Sequence, residues 1–241
     1  MAAVLSVRGL SKAYPSFALR EVSFEMAPGT IMGFVGRNGA GKTTTLKSML
    51  GFVHPDAGEV EFFGMRMREH EFEIKERISF TFGEVNFYLK KTIRQVTDAY
   101  RPFFAGWDEH AYRAHLERFQ LVETKQLGQL SQGMRVKYAL TLALSHGAEL
   151  LVLDEPTSGL DPVSRDELLR LFRGLVADGR TSILFSTQIL SDLQRSADTI
   201  TYIKQGRVLA STSLAAFLAD HRPAGGGAAD LESIMINLER E

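Results

Sequence analysis

The sequence predicts an α/β protein built on a mostly parallel sheet with helices packed on it, and three stretches carry that expectation. The first is an apolar run of strand length, Ile31-Met32-Gly33-Phe34-Val35. It ends in the glycine-rich loop Gly36-Arg37-Asn38-Gly39-Ala40-Gly41-Lys42-Thr43-Thr44 and leads into a helical run over residues 44–50. The second is Leu150-Leu151-Val152-Leu153, closed by Asp154-Glu155-Pro156. The third is Ile183-Leu184-Phe185, which runs into Ser186-Thr187-Gln188. Strands separated by helical segments at this spacing pair in parallel.

The remaining elements follow in chain order. Residues 4–63 read as short strands and turns around the loop and its helix: Val4 to Val7, Val22 to Glu25, the turn Ala27-Pro28-Gly29, and Gly58 to Phe63. From Thr92 the period becomes helical. Ile93, Val96, Tyr100 and Phe103 share one core face, Ala111, Tyr112, Leu116 and Phe119 another, and Thr92 and Asp108 stand as N-caps. A capping box at Ser164-Arg165-Asp166-Glu167 opens a helix carrying Leu168, Leu171, Phe172 and Leu175, which stops near Gly179. Residues 201–210 read as a hairpin turning at Gln205-Gly206. Arg222-Pro223-Ala224-Gly225-Gly226-Gly227-Ala228-Ala229 has the composition of a flexible linker, and Leu231 to Leu238 that of a short amphipathic tail helix.

Composition narrows the function classes. A chain of 241 residues buries a full core. Its formal net charge of −1 supplies no basic field for nucleic acid, and Lys90-Lys91-Arg94 and Arg66-Arg68 read as solvated faces. With no cysteine, disulfides and thiolate metal sites are excluded. No apolar run reaches the length of a membrane span, and the N-terminus has no basic start followed by an apolar core, so neither a span nor a signal peptide is expected.

The loop at residues 36–44 carries the chemistry of a nucleoside triphosphate site. Gly36, Gly39 and Gly41 let backbone amides approach phosphate oxygens at the positive end of a helix. Lys42 adds a mobile positive charge for the β- and γ-phosphates, and the Thr43 hydroxyl is a hard oxygen ligand for Mg²⁺. Asp154 at a strand end is a second Mg²⁺ ligand. Glu155 beside it is suited to polarise the water that attacks the γ-phosphate. Leu130-Ser131-Gln132-Gly133-Met134-Arg135 precedes a helical run over residues 136–145 and offers a hydroxyl, open amides and a helix N-terminus to phosphate.

Taken together, residues 36–44, 130–135 and 150–156 and the run Ser158-Gly159-Leu160-Asp161 resemble the nucleotide-binding subunit of ATP-binding cassette (ABC) transporters, over about residues 4–220. The resemblance implies a P-loop NTPase (RecA-like) core with an antiparallel β subdomain and a small helical subdomain bearing the signature. That makes an ATPase domain at 1–220 with its helical part at about 85–146, a linker at 221–230 and a tail helix at 231–241. It implies ATP and Mg²⁺ as cofactors, with ATP held by Tyr14, which stacks on adenine, and by Gly36, Asn38, Gly39, Ala40, Gly41, Lys42, Thr43 and Thr44. Ser131 and Gly133 clamp the γ-phosphate of ATP bound to the opposite subunit, and Asp161 bridges the two sites.

Two departures from the family pattern bear on the chemistry. Gln188 stands where the family carries a histidine on the γ-phosphate, and it can donate a hydrogen bond but not a proton or a charge. The glutamine that usually opens the helical subdomain falls at Gly83 or Glu84, of which only Glu84 offers oxygens to the metal. Milder departures are Gln132 for a glycine and Met134 for a glutamine. The resemblance implies an ATP-hydrolysing subunit, with Glu155, Lys42 and Gln188 at the reacting phosphate. It pairs with a second such subunit, identical or different, and drives a separate membrane permease of the exporter kind, docked at about Glu84 to Phe104. Such a subunit is cytoplasmic and peripheral on the membrane. Two alternatives follow from the same residues: a slowly hydrolysing, nucleotide-sensing partner subunit, and a soluble ABC ATPase outside transport.

Overall fold

The computed structural model describes residues 2–82, 88–221 and 230–240. The expected reading of Glu84 as a metal ligand, and the linker stretch at 222–229, lie outside them.

The chain opens with β1 (Leu5–Tyr14) and β2 (Phe17–Met26), an antiparallel hairpin whose turn brings Tyr14 opposite Phe17. Both strands are longer than their apolar runs because a register shift beyond Val7 lets the polar segment to Lys12 stay paired. β3 (Ile31–Val35), α1 (Lys42–Met49), β4 (Ala57–Phe62) and β5 (Met65–Arg66) follow. β2-β1-β4-β5 form a four-stranded antiparallel sheet. α2 (Glu71–Arg77) runs directly into β6 (Ile78–Phe82).

The helical part comes next: α3 (Ile93–Tyr100), α4 (Glu109–Arg118) and α5 (Gln132–Ser145). Thr92 caps α3 in a reciprocal box with Gln95, and Asp108 caps α4 through the amides of His110 and Ala111. A buried hydroxyl cluster fastens the three helices. Thr97 Oγ1 lies 3.1 Å from the Tyr112 hydroxyl and 2.9 Å from that of Tyr138, while Tyr138 also donates to Ile93 O at 3.2 Å. Each such bond contributes about 1 kcal/mol net. Phe103 departs from the expected core stripe. α3 ends at Tyr100, a 3₁₀ turn through Pro102 rotates the chain, and Phe103 is left 74% exposed.

The second half supplies β7 (Leu150–Asp154), α6 (Pro162–Val176), β8 (Ser182–Thr187), α7 (Leu190–Ser196), β9 (Thr199–Lys204), β10 (Arg207–Ser213), α8 (Leu214–Asp220) and α9 (Leu231–Arg240). α6 begins earlier than its sequence signal. Its cap is Asp161, which accepts from the amides of Val163 and Ser164, and Pro162 supplies a first-turn residue that needs no hydrogen bond. Ser164, expected to open a capping box, instead donates its hydroxyl to Asp161.

The large sheet has the order β10-β9-β3-β8-β7-β6, parallel except for β10 at one edge. Every residue of β3, β7 and β8 is buried, the mark of a sheet covered on both faces. One face lies against the helices, around Phe172, Phe185 and Leu193, and the other against the antiparallel sheet, around Phe24, Phe34 and Phe62. Register decides where function can sit. Val35 is level with Thr187, and Asp154 with Ser186, so the ends of β3, β7 and β8 come out at one edge. That edge is where open parallel sheets receive ligands.

Candidate nucleotide site

The phosphate loop leaves β3 and tightens at Gly39 (φ 78°) and Gly41 (φ 112°), the latter being the residue before α1. The two strained positions differ in what surrounds them. A Cβ at Gly39 meets nothing within 4 Å, whereas one at Gly41 lies 2.7 Å from Leu19 and 2.8 Å from Phe17. A Cβ at Gly36 would stand 2.3 Å from Ile203 O. The loop is thus pressed onto the protein behind and open in front, as a phosphate cradle must be.

Lys42 is buried at the start of α1, with Nζ donating to Gly36 O at 2.7 Å and standing 3.8 Å from Glu155 Oε1. Burial pushes its ammonium pKa down, and the neighbouring carboxylates Glu155 and Asp154 offset part of that. The Thr43 hydroxyl donates to Asp154 Oδ2 at 2.8 Å, so the two expected metal ligands face each other across α1 and β7. Among the described residues no group of three His, Cys, Asp or Glu side chains could hold a metal ion. The donor set fits Mg²⁺ all the same, because that ion takes few protein oxygens and fills its octahedron with water and phosphate.

Glu155 follows β7 in a left-handed conformation, φ 54°. This is costly for a residue with a Cβ and is fixed here by its amide, which donates to Ser186 O at 3.1 Å and lies 3.1 Å from Ser186 Oγ. The Ser186 hydroxyl itself donates to Asp154 Oδ1. Gln188 Nε2 donates to Glu155 Oε1 at 3.3 Å. One cleft is lined by Ser16, Phe17, the loop from Arg37 to Thr44 except Ala40, Glu155 and Gln188. Loop, carboxylate and Gln188 therefore come together as expected.

Tyr14 stands just outside that lining, 42% exposed, as the cross-turn neighbour of Phe17. Ser131, Gly133 and Asp161 do not line the cleft either. Ser131 caps α5 by accepting from the Met134 amide at 3.2 Å, and Asp161 caps α6. Hydrogen bonds from the Ser164 hydroxyl and the Ser164 and Val163 amides hold the Asp161 carboxyl below the usual range. Two participants escaped the sequence reading. Ser186 was visible only as part of a triplet, and its bonds to the 154–155 corner depend on the β7–β8 register. Phe17 reaches the cleft through the β1–β2 turn, which no local pattern encodes.

The sequence pattern of the ABC transporter family matches residues 19–158. The chain belongs to that family. This ATP-binding subunit is 35% identical over 212 residues to the bacitracin transport ATP-binding protein BcrA of Bacillus licheniformis, covering 87% of the chain and 69% of the relative. It is 36% identical over 195 residues to the Nod factor export ATP-binding protein I of Burkholderia pseudomallei (strain 1710b), covering 78% and 64%. The solved structure of an ATP-binding subunit of an ABC transporter superposes with a TM-score of 0.86 at 26% identity, over 98% of this chain and 99% of that one. The subunit is an ATPase of the kind that powers transport. No helix among its described residues is long and apolar enough to cross a membrane.

Proposed function

We propose that this subunit closes with a second copy, or with a close relative, around two molecules of MgATP, and that closing and reopening drive a separate membrane permease of the exporter kind from its cytoplasmic face. The observation that carries the reading is the division of the expected site. Lys42, Thr43, Glu155 and Gln188 line one cleft and Asp154 sits behind it on the Thr43 hydroxyl, while Ser131, Gly133 and Asp161 lie off it on the starts of α5 and α6. A phosphate clamp placed away from its own cleft is complete only against a partner's. Export follows the relatives, one of which is named for Nod factor export.

In this reading Lys42 exchanges its carbonyl partners in the loop for the β- and γ-phosphate oxygens, and the loop amides hold the rest of the chain of phosphates. Thr43 and Asp154 would hold Mg²⁺, which would supply positive charge against the phosphates. Glu155 accepts a proton from the attacking water, and its strained backbone keeps the carboxylate beside Lys42 and Gln188. Gln188 orients the γ-phosphate by donating a hydrogen bond, without supplying positive charge. Exposed apolar side chains give the permease a surface. Phe52 (54% exposed) stands edge-on to Phe80 and Phe82 at 5.0 and 5.6 Å, and Tyr88 is 80% exposed. The Phe52-Phe80-Phe82 cluster adds the turn after α1 and the strand β6 to the docking region expected from about residue 84 onward.

Glu155→Gln tests the assignment. ATP binding should persist while turnover falls about 100-fold or more; unchanged turnover would remove Glu155 from the role. The slowly hydrolysing, nucleotide-sensing alternative is favoured by one observation, the neutral Gln188 at the γ-phosphate position. It wins if the assembled wild type binds ATP and does not turn it over.

A further inference from the structure

We infer that the C-terminal helix α9 is a positioning element of the hydrolytic site, holding the Gln188 segment and the phosphate loop in register; the inference rests on the site reading above and deepens it. α9 is amphipathic, with Leu231, Ile234 and Met235 buried and Glu232, Ser233, Asn237 and Arg240 exposed. It packs at its start on α7 and is hydrogen-bonded at its end to β9, elements that flank the site. At its start the Leu231 amide donates to Gln194 Oε1 at 3.4 Å, on α7, the helix that follows Gln188. At its end Lys204 Nζ donates to Leu238 O at 2.7 Å and the Tyr202 hydroxyl to Glu239 Oε1 at 2.9 Å. Tyr202 and Lys204 lie on β9, and β9 pairs with β3, the strand that runs into the phosphate loop.

The helix therefore links β9, the neighbour of the strand that leads into the loop, to the helix after Gln188. Met235, Ile236 and Glu239 face Gly36, Arg37 and Gln188 across one cleft of about 330 Å³. Arg37 and Gln188 also line the nucleotide cleft, so the same two side chains form the partition between tail and nucleotide. Gln188 needs such support. It is exposed, and its one contact with Glu155 is a long hydrogen bond of 3.3 Å, a weak restraint against its own rotamer freedom. Its placement then follows its backbone, which continues into α7, and α9 is one of the elements packed on α7 beside α6, β3 and β8. Small displacements of a positioning group are expensive in turnover, about 100-fold for 1 Å.

The test measures ATP hydrolysis for wild type, for Met235→Asp and for a variant ending at His221, each with and without Gln188→Ala, and with Glu155→Gln in parallel. Both tail changes should lower kcat roughly tenfold. KM for ATP should move by less than about twofold, since the loop's own shape is set by β3, α1 and the Lys42 bond to Gly36 O, and the tail sets only its register with Gln188. In the Gln188→Ala background the same changes should alter kcat by less than about twofold, because the group being positioned is gone. The inference is overturned if kcat is unaltered in the Gln188 background, or falls by the same factor whether or not Gln188 is present. It is overturned as well if both tail variants fail to bind ATP, which makes α9 a requirement of folding. If Glu155→Gln does not lower turnover, the site reading fails, separately from the tail.

Discussion

In the proposed site Gln188 takes the place at which the resemblance to the family puts a histidine. An imidazole at that place carries a positive charge or passes a proton, and the amide at 3.3 Å from Glu155 does neither. Gln188→His should raise ATP turnover of the assembled subunit, by roughly threefold to tenfold. An equal or lower rate, measured beside wild type, would show that the amide is not limiting. The contiguous part of the site was legible because its chemistry is local: a glycine loop needs its neighbours in sequence, and Asp154 and Glu155 close one apolar strand. Ser186 and Phe17 were not legible in the same way. Each reaches the site across a strand register or a turn, and a one-residue slip would send it to the other face.

Among the elements, the helical part is fastened to the sheet at the end of α5. His146 lies there 5% exposed, its ring stacked on Phe104 at 4.0 Å and its Nδ1 3.2 Å from Glu76 O, with Nε2 buried and unpartnered. Burial pushes its pKa down to about 4. The unfolded chain takes up a proton near pH 6.5 and the folded one only near pH 4, so stability is full above pH 6.5 and is lost as pH falls through that window. The loss amounts to about 3 kcal/mol at its lower end. Denaturant unfolding of wild type and His146→Gln between pH 7 and pH 4 should give a steeper decline for wild type, and parallel curves would exclude His146 as the cause. Element type was readable from periodicity and caps, as for Thr92 and Asp108. Boundaries were less so: Pro102 turns Phe103 out of its stripe, and Asp161 takes the cap expected at Ser164.

For the whole molecule, the divided site predicts a pair. Glu155→Gln with ATP and Mg²⁺ should sediment as a species of twice the chain's 26.8 kDa. Adding Ser131→Arg should return it to one chain while ATP binding persists, because only the clamp on the partner's phosphate is blocked. A single-chain species before that change would point to a different partner subunit. The clamp has one further property, seated in a residue that departs from the family pattern. Gln132 Nε2 donates to Ser158 O at 2.6 Å, and its Oε1 would stand 2.4 Å from a Cβ added at Gly159. The Ser158 amide in turn donates to Glu155 O. In the proposed pair, one end of that chain of contacts lies between the clamp residues Ser131 and Gly133 and the other reaches the main-chain carbonyl of Glu155. A partner's nucleotide seated on Ser131 and Gly133 would thus press on the same short span of chain that carries Glu155, which gives the proposed pair a direct mechanical path between its two sites.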